Sequence, residues 1–349
     1  MRTEVIKIDE ENIDIEAIKK AGQIIKEGGL VAFPTETVYG LGGDALNPGS
    51  SKKIYAAKGR PSDNPLIVHV CCMDDVAGLV KEIPESARLL ADKYWPGPLT
   101  MIMNKSDRVP YETTGGLDTV AVRMPVHKTA LELIKYSGGY IAAPSANISG
   151  RPSPTSAKYV IEDMDGRIEM IIDGGEVEIG LESTIVDLTG DVPMILRPGY
   201  ITAQMLEETL GTVDQDKTMM SGDCKDKPKA PGMKYRHYAP KGELTIVSGQ
   251  RSDVVNYINE QASRAMEKGI KVGIIGTEEN IASYRGDSIK SVGSIADEAM
   301  IAHRLYGILR EFDDEDVREM YSESFDTCGI GQAIMNRLLK AAGHNVVKI

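Results

Sequence analysis

A short stretch from Lys58 to His69, KGRPSDNPLIVH, brings together side chains that could bind an anion. It contains two cations, an amide and an imidazole, in Lys58, Arg60, Asn64 and His69. Its two prolines fix φ and favour extended backbone at the preceding residues, so we predict a Pro-broken loop that runs into an apolar strand. Such a loop is either an anion site or a solvated surface loop, and its composition leaves both open.

Two further cations stand at the ends of predicted strands. Arg123 lies in DTVAVRMP and Arg197 in MILRPG. Arginine offers a planar fork to carboxylate or phosphate, whereas lysine acts as a point charge. The sequence lacks GxxxxGK[ST], so a phosphate ligand would not be held by a Walker loop. We expect these cations to converge on one pocket with Lys58 and Arg60.

Short polar side chains follow two other strands. Ser145 and Asn147 occur in AAPSANISG, and Ser183 and Thr184 in GLEST. Such groups can point at a ligand, and Ser183 and Thr184 could hold a small carboxylate. A helix cap or an Asx turn explains the SxN pair equally well when it is considered alone.

The segment PGMKYRHYAP places Tyr235 among cationic and aromatic neighbours between prolines. This composition suits a nucleotide or another flat anion. Aromatic residues that merely dock a linker onto a domain would give the same pattern.

The composition is that of a globular protein with room for two domains: 349 residues, 42% hydrophobic and 26% charged. The formal net charge of -12 argues against non-specific binding to nucleic acid or anionic membrane. The amino terminus lacks an apolar signal-peptide core, and no segment approaches the roughly 20 apolar residues of a membrane helix. We therefore predict a cytoplasmic protein without membrane contact.

The cysteines and histidines give no metal-binding pattern. Cys71, Cys72, Cys224 and Cys328 show no CxxC spacing, and the five histidines form no HExxH pair. We predict buried structural thiols and no metal site.

Hydrophobic periodicity predicts an α/β protein with two domains and a linker. The first two-thirds alternates apolar strands with amphipathic helices, as in a mixed sheet covered by helices. Polar, Lys- and Asp-rich sequence then interrupts the pattern, and a smaller Rossmann-like α/β alternation follows. The predicted boundaries are 1–212 for the first domain, 213–242 for the linker and 243–349 for the second domain. The predicted strands of the first domain are Leu66–Val70, Leu99–Met103, Thr119–Arg123, Tyr140–Ala142, Met170–Ile172, Ser183–Asp187 and Met194–Leu196.

Together these motifs resemble a known family. PTETVYGLG, the KxR of Lys58 and Arg60, NPLIVH, the SxN of Ser145 and Asn147, and APGMKYRHYAP are similar to the two-domain Sua5 branch of the Sua5/YciO/YrdC family. The resemblance covers the whole chain and is strongest from about Gly29 to Gly199 and at the linker. It implies a YrdC-like twisted sheet with a deep basic cavity, followed by the smaller Sua5 domain.

The resemblance implies a nucleotidyltransferase. L-Threonine, bicarbonate and ATP with Mg²⁺ would give threonylcarbamoyl-AMP and pyrophosphate, the first step toward the t6A modification of tRNA. The product would be handed to a tRNA threonylcarbamoyltransferase, and weak RNA binding is a further expectation.

The resemblance also implies roles for individual residues. Lys58, Arg60, Ser145 and Asn147 would serve catalysis. L-Threonine would be held by Thr37, His69, Arg123, the backbone of Ala143, and Ser183. ATP would be held by Arg60, Asn64, Thr119, Ser145, Ser153, Arg197 and Tyr235, with Tyr235 on a linker that covers the site. The sequence offers no strong general base, so we expect catalysis by positioning and electrostatics.

Two other functions are compatible with the residues. One is a carbamoyl-adenylate-forming carbamoyltransferase, although the acylphosphatase and zinc-finger segments that accompany the related domain there are missing. The other is a double-stranded RNA-binding module, which the overall acidity disfavours.

Overall fold

The structure is a computed structural model that describes residues 2–216, 230 and 237–349. The chain divides into two compact units, Met1–Ser149 with Ser153–Lys234 and Gly150–Pro152 with Tyr235–Ile349. Within the described ranges no helix is long and apolar enough to cross a membrane.

The first unit is built on a mixed sheet, which is the architecture that the sequence predicts. The strand order in the described part is β1-β8-β2-β3-β7-β4-β6-β5-β9-β10-β11. The strands are β1 (Glu4–Lys7), β2 (Val31–Phe33), β3 (Gly40–Asp44), β4 (Ile67–His69), β5 (Leu99–Asn104), β6 (Thr119–Arg123), β7 (Ile141–Ala142), β8 (Met170–Asp173), β9 (Thr184–Asp187), β10 (Met194–Arg197) and β11 (Asp214–Gln215).

Helices pack on this sheet through apolar faces. Helix α1 shows the local cause: Asp14 caps its first backbone N–H groups, and Ile18, Ala21 and Ile25 form a fully buried stripe at helical spacing. The helices of this unit are α1 (Ile15–Lys26), α2 (Pro48–Lys58), α3 (Met73–Val76), α4 (Glu85–Tyr94), α5 (Lys128–Tyr136), α6 (Ala157–Met164) and α7 (Ala203–Leu210).

The predicted loop after Lys58 is wrong at its start, whereas the strand that it was predicted to enter, Leu66–Val70, is present and contains His69. Lys58 is the last residue of helix α2, and His69 is the last residue of strand β4. The sequence PGSSKKIYAAK has little amphipathic pattern, but Asn47 caps the helix and Pro48 favours its first turn. Gly59 ends the helix in the left-handed region at φ 61°, which glycine adopts without strain. The helix therefore fixes Lys58, and the loop begins after it.

The second unit contains a five-stranded parallel sheet among the described residues, in the order β14-β13-β15-β12-β16. Parallel strands alternating with helices are the Rossmann-like pattern that the sequence predicts. The strands are β12 (Glu243–Ser248), β13 (Val272–Gly276), β14 (Ser288–Ser291), β15 (Glu319–Glu323) and β16 (Val346–Lys348), and the helices are α8 (Arg251–Met266), α9 (Glu298–Asp314) and α10 (Gly331–Ala341).

The prediction of buried thiols is wrong for the cysteines that the structure describes. Cys72 and Cys328 are exposed and Cys71 is half-buried. The thiols of Cys71 and Cys72 lie 3.6 and 3.1 Å from Asp75 Oδ2, and these three residues could supply metal ligands. The apolar strand that precedes Cys71 ends at His69, so the two cysteines already lie on the loop beyond the sheet. Cys224 lies outside the described residues.

Candidate active site

The predicted binding residues meet at one edge of the first sheet. His69 ends β4 and Arg123 ends β6, and the two residues are register partners on parallel strands. Thr100 near the start of β5 pairs with Arg123 across an antiparallel ladder. Because β9 runs parallel to β5, Ser183 just before β9 reaches the same edge. Two parallel pairs of strands, joined by the antiparallel pairing of β6 with β5, thus bring together residues that are far apart in the sequence.

Arg123 is buried and held by the turn after β2. Its Nη2 donates to Glu36 Oε1 at 2.7 Å, and its Nη1 donates to Thr37 Oγ1 at 2.9 Å. Its Nε has no hydrogen-bond partner among the described residues. A buried N–H without an acceptor is costly, so this donor suits a ligand carboxylate.

His69 is neutral at physiological pH. Burial, and then the nearby positive charge of Arg123, lower its pKa to about 3. Its Nδ1 lies 3.2 Å from Ile67 O. An uncharged imidazole next to Arg123 adds no charge to the site, and it can donate or accept a hydrogen bond.

Ser183 is a hydrogen-bonding centre on the same edge. Its Oγ lies 2.8 Å from Thr100 Oγ1 and accepts from Arg197 Nη2 at 3.1 Å. Arg197 Nε also donates to Ser183 O at 3.0 Å. Gly199 permits this arrangement, since a Cβ there would lie 2.5 Å from the backbone nitrogen of Thr184. Ser183, which is predicted to bind threonine, and Arg197, which is predicted to bind the nucleotide, are thus in direct contact.

Lys58 organises the SxN loop. Its buried ammonium donates to Ser145 O, to Asn147 O at 2.5 Å and to Asn147 Oδ1 at 3.4 Å. Ser145 Oγ donates to the same Asn147 Oδ1 at 2.5 Å. Lys58 therefore acts on this loop, in addition to the phosphate role that the resemblance implies.

Arg60 contacts the backbone at Asn64 and Pro65. Arg60 Nη2 donates to Asn64 O at 3.4 Å and to Pro65 O at 3.1 Å. Asn64 Oδ1 is buried and has no partner among the described residues, so it can accept from an amino or hydroxyl group of a nucleotide.

The remaining predicted site residues do not all lie near Arg123. Ala143 donates its backbone N–H to Ile67 O at 2.8 Å, which fixes its backbone beside β4. Ser153 Oγ donates to the buried Glu182 Oε1 at 2.6 Å. Thr119 begins β6, four residues and therefore about 13 Å from Arg123, so the structure does not bring it to the Arg123 end of the strand. Tyr235 lies outside the described residues, and its role stays a prediction.

Comparison with known proteins identifies the family of this chain. A family model described as telomere recombination, Sua5/YciO/YrdC, matches residues 23–199. A second, described as threonylcarbamoyl-AMP synthase, C-terminal domain, matches residues 201–343. The chain belongs to the Sua5/YciO/YrdC family.

Full-length relatives support the assignment to the Sua5 branch of this family. The threonylcarbamoyl-AMP synthase of Pyrococcus abyssi is 49% identical, with 97% of this chain and 98% of that protein covered. The Bacillus subtilis protein of the same name is 47% identical, with 97% of each chain covered. The crystal structure of P. abyssi Sua5 complexed with L-threonine matches with a TM-score of 0.94 at 48% identity, and covers 99% of this chain and 100% of that one. Escherichia coli YciO, at 22% identity over 56% of this chain and 94% of its own, shows the shared fold with a TM-score of 0.50.

Four residues of the site escape prediction from the sequence. Thr35 and Glu36 precede the predicted ligand Thr37 in the PTET run, Thr100 lies beside Ser183 without a motif of its own, and Glu182 precedes Ser183 in GLEST. The PTET run of this Sua5-family sequence offered a signal for Glu36 and Thr35, because polar residues directly after an apolar strand commonly line a site. Thr100 gave none, because it stands within an apolar strand.

The neutral state of His69 predicts a pH dependence of stability. The unfolded chain binds a proton at His69 near its ordinary pKa of 6.5, whereas the folded protein does so only near 3. The free energy of unfolding should therefore fall as the pH falls below 6.5, by roughly 2 kcal/mol from this residue between pH 6.5 and 5.

Urea denaturation of the wild type and a His69→Gln variant at both pH values measures this contribution. The variant should lose that part of the pH dependence. An identical pH dependence in both proteins would show that His69 is not neutralised by burial.

Proposed function

We propose that this chain is an L-threonylcarbamoyladenylate synthase, which converts L-threonine, bicarbonate and ATP into threonylcarbamoyl-AMP and pyrophosphate. The observation that carries the proposal is the convergence of Arg123, His69 and Ser183 at one buried sheet edge, with Arg197 bonded to Ser183. The similarity to threonylcarbamoyl-AMP synthases over nearly the full chain supports the same reaction.

The threonine side of the site is buried and polar. The carboxylate of the amino acid accepts a hydrogen bond from Arg123 Nε–H, which has no acceptor among the described residues. Ser183 and His69 offer hydrogen bonds to the other polar groups of threonine. Because His69 is uncharged, one of its ring nitrogens can accept a hydrogen bond from a polar group of threonine.

The reaction joins the amino acid to the nucleotide through a carbamate. The free amine of threonine captures the carbon of bicarbonate with loss of water, and a carbamate oxygen then attacks the α-phosphorus of ATP. The bond from that phosphorus to the bridging oxygen breaks, and pyrophosphate leaves. Arg60 and Arg197 offset the charge on the phosphates, and Asn64, Ser145 and Ser153 orient the nucleotide.

Mg²⁺ enters this reaction as part of the MgATP substrate, where it neutralises phosphate charge. The residues of the site would bind the MgATP complex as a whole. Lys58 holds the SxN loop in the position from which Ser145 can meet the nucleotide.

The product is a mixed anhydride of a carbamate and AMP. Such an anhydride is prone to hydrolysis, which favours its direct transfer to the enzyme that modifies tRNA. The role in t6A formation, the hand-off, weak RNA binding and the cytoplasmic location all stay part of the proposal.

Pyrophosphate release from MgATP tests the proposal. We expect release that requires both L-threonine and bicarbonate and is much weaker with L-serine. Release with carbamoyl phosphate alone would assign the chain to carbamoyltransferase chemistry. No release with any substrate would contradict enzymatic adenylate formation.

A further inference from the structure

The turn after β2 contains three buried polar residues, of which only the last, Thr37, is an expected threonine ligand. Thr35, Glu36 and Thr37 are 2%, 4% and 0% exposed. Thr35 Oγ1 lies 2.6 Å from Val38 O and 2.9 Å from Thr37 Oγ1. It also accepts from the backbone N–H groups of Thr37 and Val38 at 3.2 and 3.3 Å.

These contacts fix the direction of the hydrogen bond between the two threonine side chains. A hydroxyl carries one proton, and Val38 O can only accept, so the Thr35 proton goes to that carbonyl. The contact between the hydroxyls then requires Thr37 to be the donor. Arg123 Nη1 donates to the same Thr37 oxygen at 2.9 Å. Thr37 is thereby left with a lone pair and no proton for a ligand.

Glu36 fixes the other partner of Thr37. Its Oε1 accepts from Arg123 Nη2 at 2.7 Å, and its Oε2 accepts from the backbone of Val126 at 3.3 Å. Its own carbonyl accepts from Ile179 N at 2.8 Å, which holds the turn itself. Both terminal nitrogens of Arg123 have an acceptor, whereas its Nε is buried and has none among the described residues.

We propose that Thr35 and Glu36 are positioning residues that give this site a fixed hydrogen-bond polarity: Arg123 Nε–H donates to the substrate carboxylate, and the Thr37 oxygen accepts from the substrate amine. The inference rests on the proposed function and adds the orientation in which the site binds the amino acid. In an α-amino acid the amine is the donor group closest to the carboxylate. Thr37 is hydrogen-bonded to Arg123, so a carboxylate at Arg123 brings the amine near the Thr37 oxygen. The polarity therefore selects an α-amino acid in one orientation.

Steady-state kinetics of four variants test this inference. Thr37→Val removes the accepting oxygen, and Thr35→Val frees the Thr37 proton so that it can point at the ligand. Each should raise KM for L-threonine at least tenfold and leave KM for ATP unchanged. Thr35→Ser retains the hydroxyl and should restore the wild-type value. If Thr35 acts through Thr37, the double variant Thr35→Val/Thr37→Val should be no worse than Thr37→Val alone.

Thr129→Val is the matched control, because Thr129 is fully buried in helix α5 and its hydroxyl has no partner among the described residues. It should leave both KM values unchanged. Additive effects of the two valine substitutions, or equal increases in both KM values, would show that Thr35 is merely structural. An unchanged KM for threonine in Thr37→Val would overturn the inference even if Thr35→Val failed to fold. A wild type without pyrophosphate release would instead refute the proposed function.

Discussion

Replacing Lys58 with methionine should lower kcat/KM for threonine- and bicarbonate-dependent pyrophosphate release by about 10²–10³-fold, the usual loss when an aligned electrostatic group is removed. Methionine has similar length but no donors, so Ser145 O and both Asn147 acceptors lose a buried ammonium partner. The SxN loop then loses its fixed position beside the nucleotide.

Lys53→Met provides the matched control for this prediction. Lys53 is on the same helix, α2, and its ammonium bonds to Gly28 O at 2.6 Å, away from the SxN loop. Its replacement should leave kcat/KM nearly unchanged. Equal losses in both variants would indicate a general effect on the helix. A Lys58→Met enzyme of wild-type activity would contradict the role of Lys58 in both the loop and the phosphate site.

Replacing Glu36 with alanine should reduce the free energy of unfolding by about 3–5 kcal/mol, because it leaves the buried guanidinium of Arg123 without its anionic partner. Both side chains are about 95% buried, so water cannot solvate the guanidinium in place of the lost carboxylate. Urea denaturation near pH 7 measures the change. A combined Glu36→Leu/Arg123→Met variant should be less destabilised than Glu36→Ala, since no unpaired charge remains.

Glu11→Ala is the control for this second prediction. The pair between Lys128 and Glu11 has the same separation of 2.7 Å but is largely exposed. Its loss should change stability by less than about 1 kcal/mol. If Glu36→Ala and Glu11→Ala cost the same, the pair of Glu36 and Arg123 is not the buried anchor that the contacts indicate.

The strands of the site could be predicted from the sequence because their apolar runs have a clear length and clear ends. Thr119–Arg123 was predicted with its observed bounds, and the cation at its end gave the reason to expect an anion site. Arg197 was predicted in the same way, and the antiparallel pairing of β10 with β9 brings it to Ser183.

Helix α2 could not be predicted, because its stability depends on tertiary contacts. Its sequence includes Gly49 and two serines, which are weak helix formers, and its apolar residues form no continuous stripe. The cap at Asn47 and the left-handed Gly59 define its ends, and burial of Ile54 and Tyr55 stabilises it. The sequence therefore placed Lys58 on a loop, whereas it is the last residue of this helix, and its role in the site stays a prediction.

The internal polarity of the site depends on distances, which no sequence pattern supplies. Thr35 and Thr37 are equivalent residues in PTET, and only the short contact to Val38 O distinguishes donor from acceptor. The pairing of Arg123 with Glu36 likewise joins residues 87 positions apart.

Incorporation of labelled bicarbonate into the nucleotide product tests the central claim most directly. The full chain would be incubated with MgATP, L-threonine and ¹³C-bicarbonate. The nucleotides would then be separated, and their masses would be measured by mass spectrometry. The account predicts a threonylcarbamoyl-AMP species that carries one ¹³C atom and forms in step with pyrophosphate. Pyrophosphate release accompanied only by unlabelled AMP or threonyl-AMP would contradict it.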